Sequence, residues 1–101
     1  MEDLNTIFKI IDDCIQQRGY KLTTPKPDLN VPGDTLYKYR RIDPPRKTIS
    51  TVWNSERGYF MIQQVYRRRI NDPMFLIRFK ELENEEELNN DMNRIFSDWN
   101  E

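Results

Sequence analysis

Histidine and alanine are both absent from this chain of 101 residues, cysteine occurs once, and there are three glycines. Without histidine, the commonest general base and the commonest metal ligand are missing together. Chemistry would then fall to carboxylates, lysines, tyrosines and Cys14. Asp12 and Asp13 adjoin on a helical segment, where neighbours point roughly 100° apart, so they cannot converge on one proton. Cys14 shares an apolar stripe with isoleucines and is placed to pack rather than react. A lone cysteine also excludes an intramolecular disulfide and a thiolate cluster. The acidic run Glu83-Asn84-Glu85-Glu86-Glu87 lacks the glycine and alternating ligands of a calcium loop, and no glycine-rich phosphate loop is present. The expectation is a protein that is not an enzyme and that carries no metal and no cofactor.

Long apolar runs are missing too. None approaches membrane-spanning length, and Met1-Glu2-Asp3-Leu4-Asn5 lacks the basic start and apolar core of a signal peptide. The expected location is the cytoplasm, with no membrane partner. Alanine and glycine have GC-rich codons, so their scarcity points to an AT-rich genome of the kind many phages and viruses carry.

What the chain does have is aromatic residues, 12% of the total, and charge, 33%. Aromatics supply the buried area a small core needs, so the chain reads as one folded domain spanning 1–101. The net charge of −1 hides an uneven distribution. Residues 1–34 carry four basic and six acidic side chains, 35–80 eleven basic and three acidic, and 81–101 one basic and eight acidic. A basic middle precedes an acidic end.

Leu4, Ile7, Phe8, Ile11, Cys14 and Ile15 recur at helical spacing and predict a helix over 3–18, closed by Gly19. Tyr20–Thr24 suits a short edge strand, and three prolines make 24–34 a loop, functional or merely mobile. Thr35–Asp43 alternates Leu36, Lys38, Arg40 and Ile42 against Tyr37, Tyr39 and Arg41, with neither side cleanly apolar. Lys47–Asn54 is β-branched and strand-like, and Gly58 suits a tight turn. The stretch from Gly58 to Lys80 is the organising one: two apolar runs around Asn71-Asp72-Pro73, read as a hairpin with its turn there. Asn84, with Glu87 three residues on, opens a second helix over 84–99, striped by Leu88, Met92, Ile95, Phe96 and Trp99. The fold class expected is α+β: helix, an antiparallel sheet of three to five strands, helix, with both helices on one face. Double-stranded-RNA-binding domains share that order. Their final helix starts lysine-rich, however, and the acidic start found here has the wrong sign for phosphate.

Two kinds of partner follow. The hairpin strands are apolar on both faces, and two helices can cover only one. The other calls for a protein partner or a second copy of the chain, a homo-oligomer. Met74, Leu76 and Arg78 lie on that side. The leading expectation is therefore a small inhibitor or adaptor working through a protein interface. Alternatively, Arg40, Arg41, Arg46, Lys47, Arg67, Arg68 and Arg69, interleaved with Tyr37, Tyr39, Tyr59 and Tyr66, would form a basic surface with stacking platforms for RNA or single-stranded DNA. In this reading the three consecutive arginines project from the hairpin tip. The plainer possibility is that the basic middle and acidic end neutralise each other inside the fold.

Overall fold

The first helix begins where the sequence supplies a cap. The Asp3 carboxylate accepts the Thr6 N–H at 2.9 Å and opens α1, Leu4–Gln17, satisfying one of the donors that a helix start leaves unpaired. The chain leaves α1 through Gly19, whose φ of +89° suits a residue without Cβ. The computed structural model describes residues 3–66 and 69–101, and for 69–73 the backbone alone. Within them the order is α1, β1 (Tyr20–Leu22), β2 (Asp34–Arg41), β3 (Lys47–Asn54), β4 (Tyr59–Tyr66), β5 (Arg69–Arg78), a 3₁₀ turn (Phe79–Glu81) and α2 (Glu85–Asp98).

The five strands form one antiparallel meander in chain order, each paired with the next. This is the α+β architecture expected. Strand side chains alternate between faces, so the register assigns each residue a side. Tyr20 and Tyr39, with Ile49, Trp53, Phe60, Ile62 and Ile77, point to one face, where they are buried with the stripes of α1 and α2. Both helices cover that inner face. Asn84 caps α2 as its spacing predicts, accepting the Glu87 N–H at 2.8 Å, while the Glu87 carboxylate reaches back to the N–H of Glu83.

The long loop after β1 is anchored rather than loose. Leu29 is buried at the edge of the core, and its carbonyl accepts the Trp53 indole N–H at 3.0 Å. The hairpin differs from expectation. Tyr66 pairs with Arg69, and Asn71-Asp72-Pro73 falls inside β5. There Ile62 pairs with Phe75 and Gln64 with Asn71, so β5 carries two more residues than β4 across that interval. A proline cannot donate to a ladder and is tolerated in such a bulge on an edge strand. The sequence signal of Asn-Asp-Pro is thus a bulge, not a turn.

The two faces predict unequal costs. Ile49→Ala, on the inner side of β3, should destabilise by about 2–5 kcal/mol. Leu36→Ala, outward-facing and 53% exposed, should cost less than about 1 kcal/mol. Equilibrium urea unfolding of both variants tests the assignment of faces.

Candidate functional site

Among the described residues, no helix lies over the outer face of the sheet. Pairings across β2, β3, β4 and β5 align Leu36, Val52, Met61 and Leu76 in one row. Leu36 is 53% exposed, Leu76 43% and Met74, beside it, 41%. Cations flank the row. Lys38 lies on β2 one outward step from Leu36, and Arg78 is one such step beyond Leu76; both are exposed. Arg40 follows Lys38 and stands directly opposite Lys21 of β1. Like charges directly opposed across a strand pair are destabilising, so that pairing costs the free protein stability. Asp34 is the one acid among the described outward residues, and the Asn54 amide donates to it at 2.7 Å.

Of the expected contact residues, Arg40, Arg78, Met74 and Leu76 are on this face. Arg41 is not: strand alternation turns it to the inner face. Tyr37 and Tyr39 correct the expectation more sharply. Both are fully buried beneath the helices, where Tyr37 meets Phe8 edge-on at 5.5 Å, so neither can stack on a base. Arg67 and Arg68 lie outside the described residues. Arg69 is described only through its backbone pairing with Tyr66, so the arrangement of the three arginines at a hairpin tip lies outside the description as well.

A second constellation, on the inner face, was not anticipated. After α2 the chain turns through Asn100 with φ +61°. The Asn100 N–H donates to the Ser97 carbonyl at 2.9 Å and the Glu101 N–H to that of Phe96 at 2.8 Å, the bond pair of a Schellman motif. This closure carries the Glu101 side chain over the sheet, where it is only 8% exposed. Its carboxylate accepts from the Tyr20 hydroxyl at 2.8 Å, the Gln64 amide and the Arg41 guanidinium at 3.1 Å, with the Lys47 ammonium at 3.9 Å. A buried carboxylate persists when paired and hydrogen-bonded in this way. The sequence signal available was an asparagine just past a helix end, which marks a left-handed cap. Nothing in periodicity points to Gln64.

Three phenols sit in this interior. Burial, then donation to Glu101, pushes the Tyr20 pKa well above its ordinary 10.0. Burial, then donation to Asp12 at 2.6 Å, does the same for Tyr39. Burial, then the nearby Asp12 charge, raises Tyr37. Its hydroxyl and that of its cross-strand neighbour Thr51 lie close enough for Thr51 to offset part of that rise, yet neither makes a well-formed hydrogen bond among the described residues. Burial likewise raises the Cys14 thiol, which donates to Asn89 of α2 at 3.4 Å. A shallow cavity of about 530 Å³ opens between α1 and the segment after β1, lined by Phe8, Leu22 and the charged Asp3, Lys9, Asp12 and Lys26. Among the described residues no group of three acids or cysteines is set to hold a metal, and no helix is long and apolar enough to cross a membrane. The chain matches no family model, no curated protein and no solved structure.

Glu101→Gln removes the charge that Arg41 and Lys47 face. It should destabilise by about 3 kcal/mol, the low end for breaking a buried pair, because Arg41 keeps 29% exposure. Adding Arg41→Met should restore part of the loss in a thermal melt. The tyrosines predict alkaline unfolding. Below pH 10 both states hold the phenol protons. Above it the unfolded chain releases them while the folded one does not, so stability falls by about 1.4 kcal/mol per pH unit for each raised phenol. Phenolate absorbance should show Tyr20, Tyr37 and Tyr39 ionising only together with loss of the fold.

Proposed function

We propose that this protein is a non-enzymatic binding protein, an inhibitor or adaptor, that occupies an acidic and partly apolar surface of another protein with the outer face of its sheet. The observation that carries the reading is the uncovered row Leu36, Val52, Met61 and Leu76 with Lys38, Arg40 and Arg78 around it. An apolar strip that contains methionine and has arginine in a polar rim has the composition of an interface. Charge selects the occupant. A second copy docked face to face would set cation against cation, whereas an acidic partner relieves the opposition of Lys21 and Arg40. Nucleic acid also offers negative charge, but of the expected stacking residues Tyr37 and Tyr39 are buried in the fold, and among the described residues Tyr59 is the one tyrosine on the outer face. The residue usage fits a phage or viral accessory protein directed at a host factor, working in the cytoplasm.

The test exploits the opposed cations. Arg40→Glu converts the pair with Lys21 into an attractive one and should stabilise the free protein by about 0.2–1 kcal/mol. The same change should weaken capture of the partner from source-cell lysate at least about tenfold, a loss of about 1.4 kcal/mol. Leu36→Asp should do likewise, and Glu86→Lys, on the exposed helix side, should not. Capture that is indifferent to Arg40 and Leu36 overturns the reading. Co-purifying nucleic acid that is released by salt with a slope of about −0.7 per phosphate contact replaces it.

A further inference from the structure

We infer that the partner is engaged by strand addition, with an extended acidic–apolar segment pairing as a sixth strand along Phe75–Arg78 of β5. The inference rests on the proposed docking face and names how that face continues. A five-stranded sheet has two edges, and they differ here. β1 is three residues long, short enough to be a poor template, whereas β5 runs for ten. The bulge and Pro73 guard the first part of β5, since both interrupt edge pairing. They leave Phe75–Arg78 as regular strand.

The direction of its backbone groups can be worked out. The Phe79 N–H donates to the Gly58 carbonyl at 2.8 Å, and Gly58 and Phe79 continue the register in which Tyr59 faces Arg78 and Phe60 faces Ile77. In an antiparallel ladder, hydrogen-bonded and non-bonded pairs alternate. Ile77 therefore bonds to Phe60, while Leu76 turns its N–H and C=O groups, and Arg78 its N–H, to the open edge; the Arg78 carbonyl instead opens the 3₁₀ turn. The side chains of these same two residues lie on the outer face, at the end of the apolar row. A strand laid there would place alternate side chains beside Leu76 and Arg78, where the Arg78 cation suits acidic residues. Its other side chains would lie next to Phe75 and Phe79, both partly buried against the core, which suits apolar ones. Alternating acidic and apolar residues meet both demands, and backbone pairing supplies the rest of the affinity.

The experiment uses the full ¹⁵N-labelled chain and the synthetic peptide acetyl-Val-Glu-Val-Glu-Val-Glu-Val-amide. Saturable binding should slow hydrogen exchange at the Leu76 and Arg78 amides at least about tenfold, with the already bonded Ile77 amide changing far less. Two further peptides, N-methylated either at every valine or at every glutamate, separate the pairing edge from the free one. Loss of binding by one of them and not the other supports strand addition. Equal binding by both, or no protection at Leu76 and Arg78, overturns it. Arg78→Glu should weaken the peptide at least about tenfold. Leu36→Asp, three strands from the edge, should leave peptide binding unchanged while still abolishing capture of the partner. If Leu36 governs capture but the peptide leaves the edge unprotected, the outer-face reading stands and strand addition fails. If the peptide binds the edge while capture ignores Leu36 and Arg40, it is the outer-face reading that fails.

Discussion

A strand can present a side chain to only one of two faces, and a five-stranded meander offers both faces in full. The two helices of this chain are fourteen residues each, and both lie on the same side. Everything else follows from that allocation. Residues of one parity become core, including three tyrosines whose hydroxyls must find partners or go without. Residues of the other parity remain in water, including leucines and methionines that a free-standing protein has no reason to expose as a row.

The charge pattern resolves in the same geometry. The basic middle and acidic end of the chain meet inside the fold at one place, where Glu101 lies between Arg41 and Lys47. At the surface Arg78 also pairs with Glu81 at 3.9 Å. Lys21, Lys38, Arg40 and Arg78 remain exposed on the outer face, and Glu83, Glu85 and Glu86 are exposed at the start of α2 on the opposite layer. Internal neutralisation therefore accounts for two cations on β2 and β3, while Lys21, Lys38 and Arg40 stay exposed on the outer face. The buried cluster also joins the last turn of α2 to the sheet, with a charged group in the role that an apolar contact would ordinarily fill. Such a cluster specifies one arrangement more sharply than it stabilises, because desolvating three charges offsets much of their attraction.

Much of the fold was legible in the chain because local rules carried it. The stripe from Leu4 to Ile15, the cap at Asn84 with Glu87, the β-branched run at Lys47–Asn54 and the glycines at 19 and 58 each answer to chemistry within a few residues. The candidate face was legible in part. The alternation of Leu36, Lys38 and Arg40 against Tyr37, Tyr39 and Arg41 was plain, but which set faced water was not, since each mixes apolar and cationic groups. The reading of Asn71-Asp72-Pro73 as a turn failed because a bulge on an edge strand asks for the same residues as a loop.

By itself, the sequence determined the element types, their order, the one-sided cover of the sheet and the absence of histidine chemistry, all of which depend on composition and short-range periodicity. Only the tertiary structure decided that Tyr37 and Tyr39 go inside, that Arg41 and Arg40 part company, and that Glu101 closes a buried cluster with Tyr20 and Gln64. The physical reason is distance along the chain. Gln64 and Glu101 are thirty-seven residues apart and Tyr20 and Glu101 eighty-one, and no local preference reports on a contact that exists only once the strands have found their register and the second helix has settled on them.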